Sequence, residues 1–227
     1  MRSSESSPSA VIFDMDGVLA DTEPLHAETY VRVFREMGLE LTVEEYLDMV
    51  TRGQMDVRDV YQSIGGDMAY WKEVMDTKSV MVKAMLAERD VLLPGVVDLL
   101  QSLKTAGIPT AVATAAGKRS LGMMLDRFDL RRYFDEFVTW EDVQASKPDP
   151  EAFIIAAQKL GVTSEDCVVI EDSPRGVLAA HRARMKCIAV PNNSTSEGDF
   201  STADLIVNSL EEVNLETLKG LFVKRDA

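Results

Sequence analysis

The sequence predicts an α/β fold in which a three-layer core is built on a parallel sheet and carries an inserted α-helical cap domain. Three observations support this prediction. Short β-rich segments alternate with longer helical patterns along most of the chain. One block, residues 27–90, shows helical patterns without a strand. Two aspartates follow the first β-rich segment directly, at the edge of a parallel sheet where ligands bind.

Six β-rich segments are the predicted strands. The first, Ala10–Phe13, is too short and too β-branched for a helix. The others span residues 109–114, 136–140, 167–172, 186–190 and 204–207. Strands that alternate with helices are joined by right-handed crossovers, which place the helices on both faces of the sheet. The segments therefore predict a Rossmann-like core.

Apolar residues at helical spacing predict the helices of this core. They span residues 96–106, 121–128, 152–160 and 177–183. Gly107 and Gly161 are positioned as C-terminal caps, and Pro150 and Pro174 lie near first helical turns. These signals give three of the four predicted helices a start or a stop, and the helix at residues 121–128 has neither.

The helical block interrupts the alternation directly after the first strand, so we predict a discontinuous core of residues 10–26 and 91–227. Residues 27–90 are the predicted cap over the active site, with helical periodicity at 30–37, 44–50, 55–64 and 70–86. Linkers near residues 22–24 and 93–95 would hinge it. The Ser-rich residues 1–9 are predicted to be a flexible leader.

The composition narrows the classes of partner. A chain of 227 residues with a formal charge of −14 disfavours nucleic acid and anionic membranes as partners. No apolar segment is long enough to span a membrane, and the leader lacks an apolar core, so we expect a cytoplasmic monomer. Cys167 and Cys187 lie in apolar runs and are predicted to be buried free thiols.

Polar side chains stand where three of the predicted strands end. Asp14 and Asp16 follow the first strand, Thr114 ends the second, and Glu171 and Asp172 end the fourth. Because the carboxyl ends of parallel strands meet at one edge, we expect these side chains to lie close together. Each residue alone has an ordinary explanation as a helix cap or a solvated turn. The combination predicts an active site.

Lys147 completes this set because it precedes a helix entry at Pro148, Asp149 and Pro150. A single surface lysine is usually solvated, but an acidic protein that binds an anionic substrate needs local positive charge. That charge comes from a lysine or from a metal ion. Lys147 is therefore a candidate ligand for a phosphoryl group.

At this point the chain resembles the haloacid dehalogenase-like hydrolase superfamily, in the branch with a helical cap after the first strand. The resemblance runs from about residue 10 to residue 207. It rests on Asp14-Met15-Asp16-Gly17-Val18-Leu19 with Asp21-Thr22, on Thr114, on Ser146-Lys147-Pro148-Asp149-Pro150, and on Glu171-Asp172-Ser173 with Gly176-Val177.

The resemblance implies a role for each motif residue. Asp14 is the implied nucleophile, which forms an aspartyl-phosphate, and Asp16 is the implied general acid and base. Thr114, Ala115 and Lys147 are the implied phosphate-binding residues. The implied ligands of Mg²⁺ are Asp14, Asp16, Glu171 and Asp172. A hard, oxygen-ligated cation is the one expected at such carboxylates.

Asp16 selects among the reactions of this superfamily. A halide leaving group needs no proton, and the resemblance implies that dehalogenases lack an aspartate at this position. We therefore predict a Mg²⁺-dependent phosphatase acting on a small phosphomonoester, most plausibly a sugar phosphate. The first alternative is a β-phosphoglucomutase-type phosphomutase. A receiver-like phospho-acceptor domain is a distant alternative, because receivers are about half this length and have no cap.

Four residues near and within the cap are candidates for contacting the substrate. Residues 21–26 resemble both the mutase and the sugar-phosphate phosphatases, and Thr22 and His26 match residues that contact substrate in the mutase. Arg52 and Lys78 are candidates for a distal phosphate or sugar, although charges in such caps are usually solvated. The mutase alternative is weakened by Ala115, which stands where its pattern has a hydroxyl. Residues 51–54 also do not align cleanly with its arginine-bearing loop.

One further residue departs from the pattern of the relatives. Arg184 stands after the helix at residues 177–183, where relatives usually have glycine. A left-handed backbone at Arg184 would cost roughly 1 kcal/mol relative to glycine.

Overall fold

The computed structural model describes residues 7–53 and 55–223, which form two compact units. The first unit contains the described residues up to Ala20 and those from Leu92 onward, and the second is Asp21–Val91. Residues 21–26, which the sequence analysis assigns to the core, belong to the second unit because a single helix begins at Glu23 and continues to Glu36.

The predicted leader is described only from residue 7 onward, and Gln54 in the predicted cap lies outside the described residues. Pro8 is buried, and the Ser9 N–H donates to the carbonyl of Asp166 at 2.8 Å. Packing against the core therefore begins two residues before the first strand.

A parallel sheet of six strands is the centre of the first unit. Its strands are β1 (Ala10–Phe13), β2 (Thr110–Ala113), β3 (Glu136–Val138), β4 (Cys167–Glu171), β5 (Lys186–Ala189) and β6 (Leu205–Ile206). The strand order is β3-β2-β1-β4-β5-β6, and every pairing is parallel. The predicted parallel α/β fold is confirmed, and β1 lies between β2 and β4.

The α-helices are numbered in chain order through both units. Those of the second unit are α1 (Glu23–Glu36), α2 (Val43–Tyr46), α3 (Val57–Ser63) and α4 (Trp71–Glu88), with a π-helical turn at Leu47–Arg52. Those of the first unit are α5 (Val96–Ala106), α6 (Lys118–Arg127), α7 (Glu151–Leu160), α8 (Pro174–Arg182) and α9 (Leu215–Gly220). Short 3₁₀ turns occur at Met68–Tyr70, Arg131–Tyr133, Trp140–Asp142, Ser164–Asp166 and Leu210–Glu212.

The sheet is covered on both faces. All residues of β1, β2 and β4 are buried, so side chains that point to opposite faces are both removed from water. On one face, α7 and α8 pack against the strands through small residues and Phe153. Burial on both faces explains why the central strands read as continuous apolar runs.

Loop and helix ends agree with the sequence signals. Gly107 and Gly161 cap α5 and α7 in the left-handed conformation, at φ of 68° and 69°. Arg184 also lies in this region, at φ of 59°, although it carries a side chain. Both cysteines are buried free thiols, as predicted. Within the described residues, no helix is both long enough and apolar enough to span a membrane.

The second unit has its own apolar core. Helices α1 and α4 pack against each other along their length. The buried residues of this core are Ala27, Tyr30, Val31, Val33, Phe34, Leu41, Tyr46, Val60, Tyr61 and Val74. Its helices therefore bury a shared surface among themselves, in agreement with the helical block predicted from the sequence.

Candidate active site

The carboxyl ends of β1, β2 and β4 form one edge of the sheet, and the candidate residues stand there. Asp14 follows β1, Thr114 follows β2, and Glu171 and Asp172 are the last residue of β4 and the first beyond it. Because β1 pairs with both β2 and β4, these three strand ends are neighbours. The Asp14 N–H donates to the carbonyl of Ile170 at 3.0 Å, which ties the two acidic strand ends together.

Lys147 is the central cation of this edge. Its Nζ donates to Asp14 Oδ1 at 2.5 Å and to Glu171 Oε1 at 2.6 Å. It also donates to the carbonyl of Ala113, at 3.2 Å. The side chain is only 11% exposed, so these three acceptors replace water around the ammonium group. Lysine and carboxylates that are distant in sequence therefore meet where the sequence analysis expected them.

Glu171 is fully engaged by its neighbours. Its Oε1 accepts from Lys147, and its Oε2 accepts from the Asp172 N–H, the Ser173 N–H and the Ser173 hydroxyl, each at 2.9 Å. A Cβ on Gly176 would collide with this carboxylate. A metal ion would have to displace one of these donors to bind Glu171 directly. In this arrangement Glu171 orients Lys147.

Asp172 is held from two sides. The Asn192 side-chain amide donates to Asp172 Oδ2 at 2.8 Å, from the loop that follows β5. Gly17 approaches the same carboxylate from the loop after β1, and a Cβ at this position would collide with it. Gly17 also has a φ of +79°, which favours glycine. The turn after Asp14 can therefore close only with glycine at this position.

Negative charge exceeds positive charge at this edge. Burial raises the pKa of Asp14 to about 7, and the neighbouring Glu171 and Asp16 add to this while Lys147 opposes it. Burial, Glu171 and Asp14 raise the pKa of Asp172 well above its ordinary value. Burial alone would lower the pKa of Lys147, but Asp14 and Glu171 raise it overall. The edge therefore favours an additional cation.

The carboxylates of Asp14 and Asp172 suit a Mg²⁺ ion that the protein and a substrate phosphate bind together. Among the residues that the structure describes, no three His, Cys, Asp or Glu side chains are grouped to hold a metal ion. Mg²⁺ commonly uses one or two carboxylates, with water and substrate phosphate as its other ligands. Asp14 and Asp172 supply two carboxylates whose charges act on each other. The two carboxylates satisfy the protein's part of this pattern.

Thr114 and Ala115 stand on the β2 side of the same edge. Thr114 is 3% exposed, and its hydroxyl oxygen accepts from the Ala116 N–H at 2.9 Å. The hydroxyl proton is then directed to an acceptor other than this amide. Ala115 is exposed, so its backbone is accessible at the strand end. Both positions suit hydrogen bonds to phosphate oxygens, as the sequence analysis predicts.

The remaining sequence candidates belong to the second unit. Thr22 is the N-cap residue of α1 and is 5% exposed. The N–H of His26 donates to the carbonyl of Thr22 at 2.9 Å, within the first turn of that helix. Their roles as substrate contacts stay predictions.

Arg52 and Lys78 already have partners within this unit. Arg52 pairs with Glu44 at 3.0 Å and with Asp48, and these hydrogen bonds raise the pKa of its guanidinium. The Nζ of Lys78 lies 4.7 Å from the centre of the Tyr30 ring, a cation-π distance. A substrate that bound Arg52 would compete with two carboxylates.

Some residues with contacts at the site were not identified from the sequence. They are Arg175, Arg182 and Asn192. Ser173 and Gly176 were quoted with the motif at Glu171 and Asp172, but without the contacts that they make with Glu171. Asn192 follows a strand within Pro191-Asn192-Asn193, which reads as an ordinary turn. The two arginines read as solvated residues of a helix. Only their spatial contacts distinguish them.

Comparison with known proteins gives a consistent result. The family model described as haloacid dehalogenase-like hydrolase matches residues 11–190. Hexitol phosphatase B of Escherichia coli strain K12 is 33% identical over 93% of this chain and 96% of its own length. Phosphorylated carbohydrates phosphatase of Thermotoga maritima is 35% identical over 83% of this chain and 88% of its own.

A solved structure shares the fold at similar identity. CbbY from Rhodobacter sphaeroides, in complex with phosphate, is 31% identical and gives a TM-score of 0.82. The match covers 90% of this chain and 96% of that chain.

Proposed function

Because the chain belongs to the haloacid dehalogenase-like hydrolase family, we propose that it is a Mg²⁺-dependent phosphatase of a small phosphomonoester, a sugar phosphate, with an aspartyl-phosphate at Asp14. The contact of Lys147 with both Asp14 and Glu171 is the observation that carries this proposal. The names of the two phosphatases that resemble this chain support the substrate class.

In the first step, a carboxylate oxygen of Asp14 attacks phosphorus. The Asp14 oxygen–phosphorus bond forms while the bond from phosphorus to the sugar oxygen breaks, and Asp16 gives its proton to the departing oxygen. Lys147, at 2.5 Å from Asp14 Oδ1, is near enough to bind the phosphoryl oxygens during transfer. Thr114 and the backbone at Ala115 add hydrogen bonds to those oxygens.

In the second step, the carboxyl group of Asp16 acts as a base. Asp16, now ionised, takes a proton from a water molecule that attacks phosphorus. The new water oxygen–phosphorus bond replaces the Asp14 bond, which releases inorganic phosphate and the Asp14 carboxylate. Asp16 holds the proton needed for the next cycle, so no further acid is required.

Asp14 and Asp172 are the residues we propose as the main Mg²⁺ ligands, with Asp16 and Glu171 as the other candidates. When bound, Mg²⁺ supplies positive charge that offsets the repulsion between Asp14 and an anionic ester. Burial and the neighbouring carboxylates raise the pKa values of Asp14 and Asp172 although Lys147 opposes this, so a further cation would stabilise their ionised forms. We further propose a cytoplasmic monomer without nucleic-acid or membrane partners, in line with the charge of −14.

Phosphate-release assays test this proposal. The substrates are sugar and hexitol phosphates, nucleotides and phosphoglycolate, assayed with Mg²⁺ and with a chelator. A coupled assay with β-glucose 1-phosphate and its bisphosphate runs beside them. We expect inorganic phosphate as the main product, reversible loss on chelation, and turnover at background level in Asp14→Asn. Asp98→Asn is the matched control, because Asp98 is exposed on α5.

Each alternative has its own outcome. Glucose 6-phosphate without net phosphate release would identify a phosphomutase, in which the aspartyl-phosphate returns to a sugar hydroxyl. A single equivalent of bound phosphate without turnover would identify a receiver-like acceptor. Wild-type turnover in a folded Asp14→Asn variant would contradict the covalent mechanism.

A further inference from the structure

Two arginines of α8 bind the backbone of the segment that carries Lys147. The Nε of Arg175 donates to the Lys147 carbonyl at 3.0 Å, and its Nη2 donates to the same oxygen. The Nη1 of Arg182 donates to the next carbonyl, that of Pro148, at 2.9 Å. The two arginines are seven residues apart, or about two helical turns, so they lie on one face of α8.

This segment is anchored by its own residues on either side of Lys147, and the two arginines add contacts at the carbonyls of Lys147 and Pro148 themselves. The N–H groups of Gln144 and Ala145 donate to Glu151, and that of Asp149 donates to the carbonyl of Ser146. Residues 143–150 are irregular, between the 3₁₀ turn at Trp140–Asp142 and the start of α7. A lysine on irregular backbone keeps its position only if that backbone is held. Charge-assisted hydrogen bonds from a guanidinium group are among the stronger ways to hold a carbonyl.

Two of the contacts of Lys147 come from one strand–helix connection, between β4 and α8. Glu171, at the end of β4, accepts from the Nζ of Lys147, and Arg175, in the first turn of α8, donates to its carbonyl. The group that orients the ammonium and the group that holds the backbone are therefore only four positions apart in the sequence. This connection controls both ends of the lysine.

A neighbouring arginine shows what an ordinary surface contact looks like in this chain. Arg184 lies two residues beyond Arg182, is 82% exposed, and approaches Glu165 at 3.6 Å. In a chain with 38 acidic and 24 basic residues, carboxylates are the expected partners of surface arginines. Arg175 directs two donors to a single carbonyl oxygen instead.

We propose that Arg175 is a positioning residue, with Arg182 in support, which fixes the Lys147 backbone so that its ammonium meets the phosphoryl group. This inference rests on the proposed function, because it deepens the role of Lys147 in phosphate binding. Arg175 acts through Lys147 and does not itself contact the phosphoryl group. Experiments can separate an effect of Arg175 through Lys147 from a direct contact of Arg175 with the phosphoryl group.

Kinetics of three variants provide the first test. Arg175→Met keeps the length of the side chain and removes its donors, Arg175→Lys keeps the charge with one donor group, and Arg184→Met is the matched control. We expect Arg175→Met to lower kcat by roughly 10- to 100-fold, with a smaller change in KM, because charge on the phosphoryl oxygens grows toward the transition state. Arg175→Lys should recover part of the loss. The melting temperatures of Arg175→Met and Arg184→Met should be similar.

A double-mutant cycle on phosphate binding provides the second test. Inorganic phosphate, titrated calorimetrically in the presence of Mg²⁺, is the probe for wild type, Arg175→Met, Lys147→Ala and the double variant. We expect Arg175→Met to weaken phosphate binding in wild type but to add no further loss in Lys147→Ala. Lys147→Arg replaces Lys147→Ala if circular dichroism shows the latter unfolded.

The outcomes distinguish this inference from the proposed function. Equal kcat and equal phosphate affinity in Arg175→Met and Arg184→Met would overturn the inference and leave the function intact. An equal loss from Arg175→Met in both Lys147 backgrounds would also overturn it. If wild type releases no phosphate from any ester, the proposed function fails, while the binding cycle still reports whether Arg175 acts through Lys147.

Discussion

Replacing Glu171 with glutamine tests the network that holds Lys147. Glu171 Oε1 faces the ammonium of Lys147, and Oε2 accepts three hydrogen bonds from Asp172 and Ser173. A glutamine amide has one oxygen and one NH₂ group. In one orientation its NH₂ faces Lys147, and in the other it faces two backbone N–H groups, so a donor meets a donor either way.

The magnitude follows from burial. Glu171 is 1% exposed, and the close approach of Gly176 leaves the new amide no room to turn away. Removing one partner of a buried ion pair costs roughly 3–5 kcal/mol. In a chain of this size, that corresponds to a fall in melting temperature of roughly 6–20 °C. The substitution also removes a negative charge that raises the pKa of Asp14, and this lessens the repulsion between the two carboxylates. The unmatched donors cost more stability than this gain returns.

Asp14→Asn is the matched control for this prediction. An asparagine oxygen can still accept from Lys147, and the substitution lowers the excess negative charge, so the fold should be at least as stable as wild type. The measurement is thermal and urea unfolding with a chelator present. Our account of the contacts between Glu171 and Lys147 is wrong if the free energy of unfolding of Glu171→Gln lies within about 1 kcal/mol of the wild-type value. It is also wrong if Glu171→Gln and Asp14→Asn lower the free energy of unfolding equally.

Three further predictions address other parts of the chain. In single-turnover assays, Asp16→Asn should slow hydrolysis of a sugar phosphate by roughly 10²- to 10⁴-fold and slow hydrolysis of an activated aryl phosphate much less, because only the sugar oxygen needs a proton as it leaves. Equal losses on both esters would show that Asp16 is not the general acid. Arg184→Gly should raise the melting temperature by roughly 2–4 °C, because φ of 59° costs a side chain about 1 kcal/mol, and an unchanged or lower value would contradict this. A hydrogen bond from Lys118, together with the capping contacts of Thr139, lowers the pKa of Asp142 to about 2, below its unfolded value of 3.8. Its stabilising effect is therefore present above pH 3.8 and is lost as the pH falls toward about 2. The difference in unfolding free energy between wild type and Asp142→Asn should shrink over that range, and a constant difference would refute the assignment.

The strands could be predicted because both faces of the sheet are buried. A central parallel strand is apolar at nearly all of its positions, so each strand appears in the sequence as a short run between polar segments. Glu171, at the carboxyl end of β4, is an exception that belongs to the site. The predicted runs end one residue past the paired strands at β2 and β4. Thr114 and Asp172, the residues just beyond pairing, are the ones that face the site.

Helix starts were less predictable where the stabilising group is distant in sequence. The pattern predicts a helix from residue 121, but α6 begins at Lys118. The Lys118 N–H donates to the carboxylate of Glu141, 23 residues away, and this contact satisfies an end that local sequence leaves open. Likewise, the helix predicted at residues 44–50 is divided into α2 and the π-helical turn Leu47–Arg52.

The candidate site was predictable to the extent that its residues stand at strand ends. Asp14, Thr114 and Asp172 are placed by the order of the strands alone. The groups that hold the site residues are not predictable in this way, because Asn192 reaches Asp172 from another loop and Arg175 reaches the backbone of Lys147 from a helix. Asparagines in turns and arginines in helices are common in any sequence, and only their hydrogen-bond partners in the structure show that these two residues belong to the site.

The edge of the sheet that carries the site has more acidic than basic side chains. Asp14 and Glu171 contact the one buried lysine, and Asp16 and Asp172 add their charges to the same group of carboxyls. Burial and these charges raise the pKa values of Asp14 and Asp172, so ionisation of this edge is unfavourable without a further cation. Replacing Asp14 or Asp172 with a neutral residue would relieve that repulsion. An edge selected for stability alone would therefore carry fewer acids. The excess is understandable if a divalent cation and a phosphoryl group occupy the edge together, because the cation compensates the acids and Lys147 compensates the phosphate.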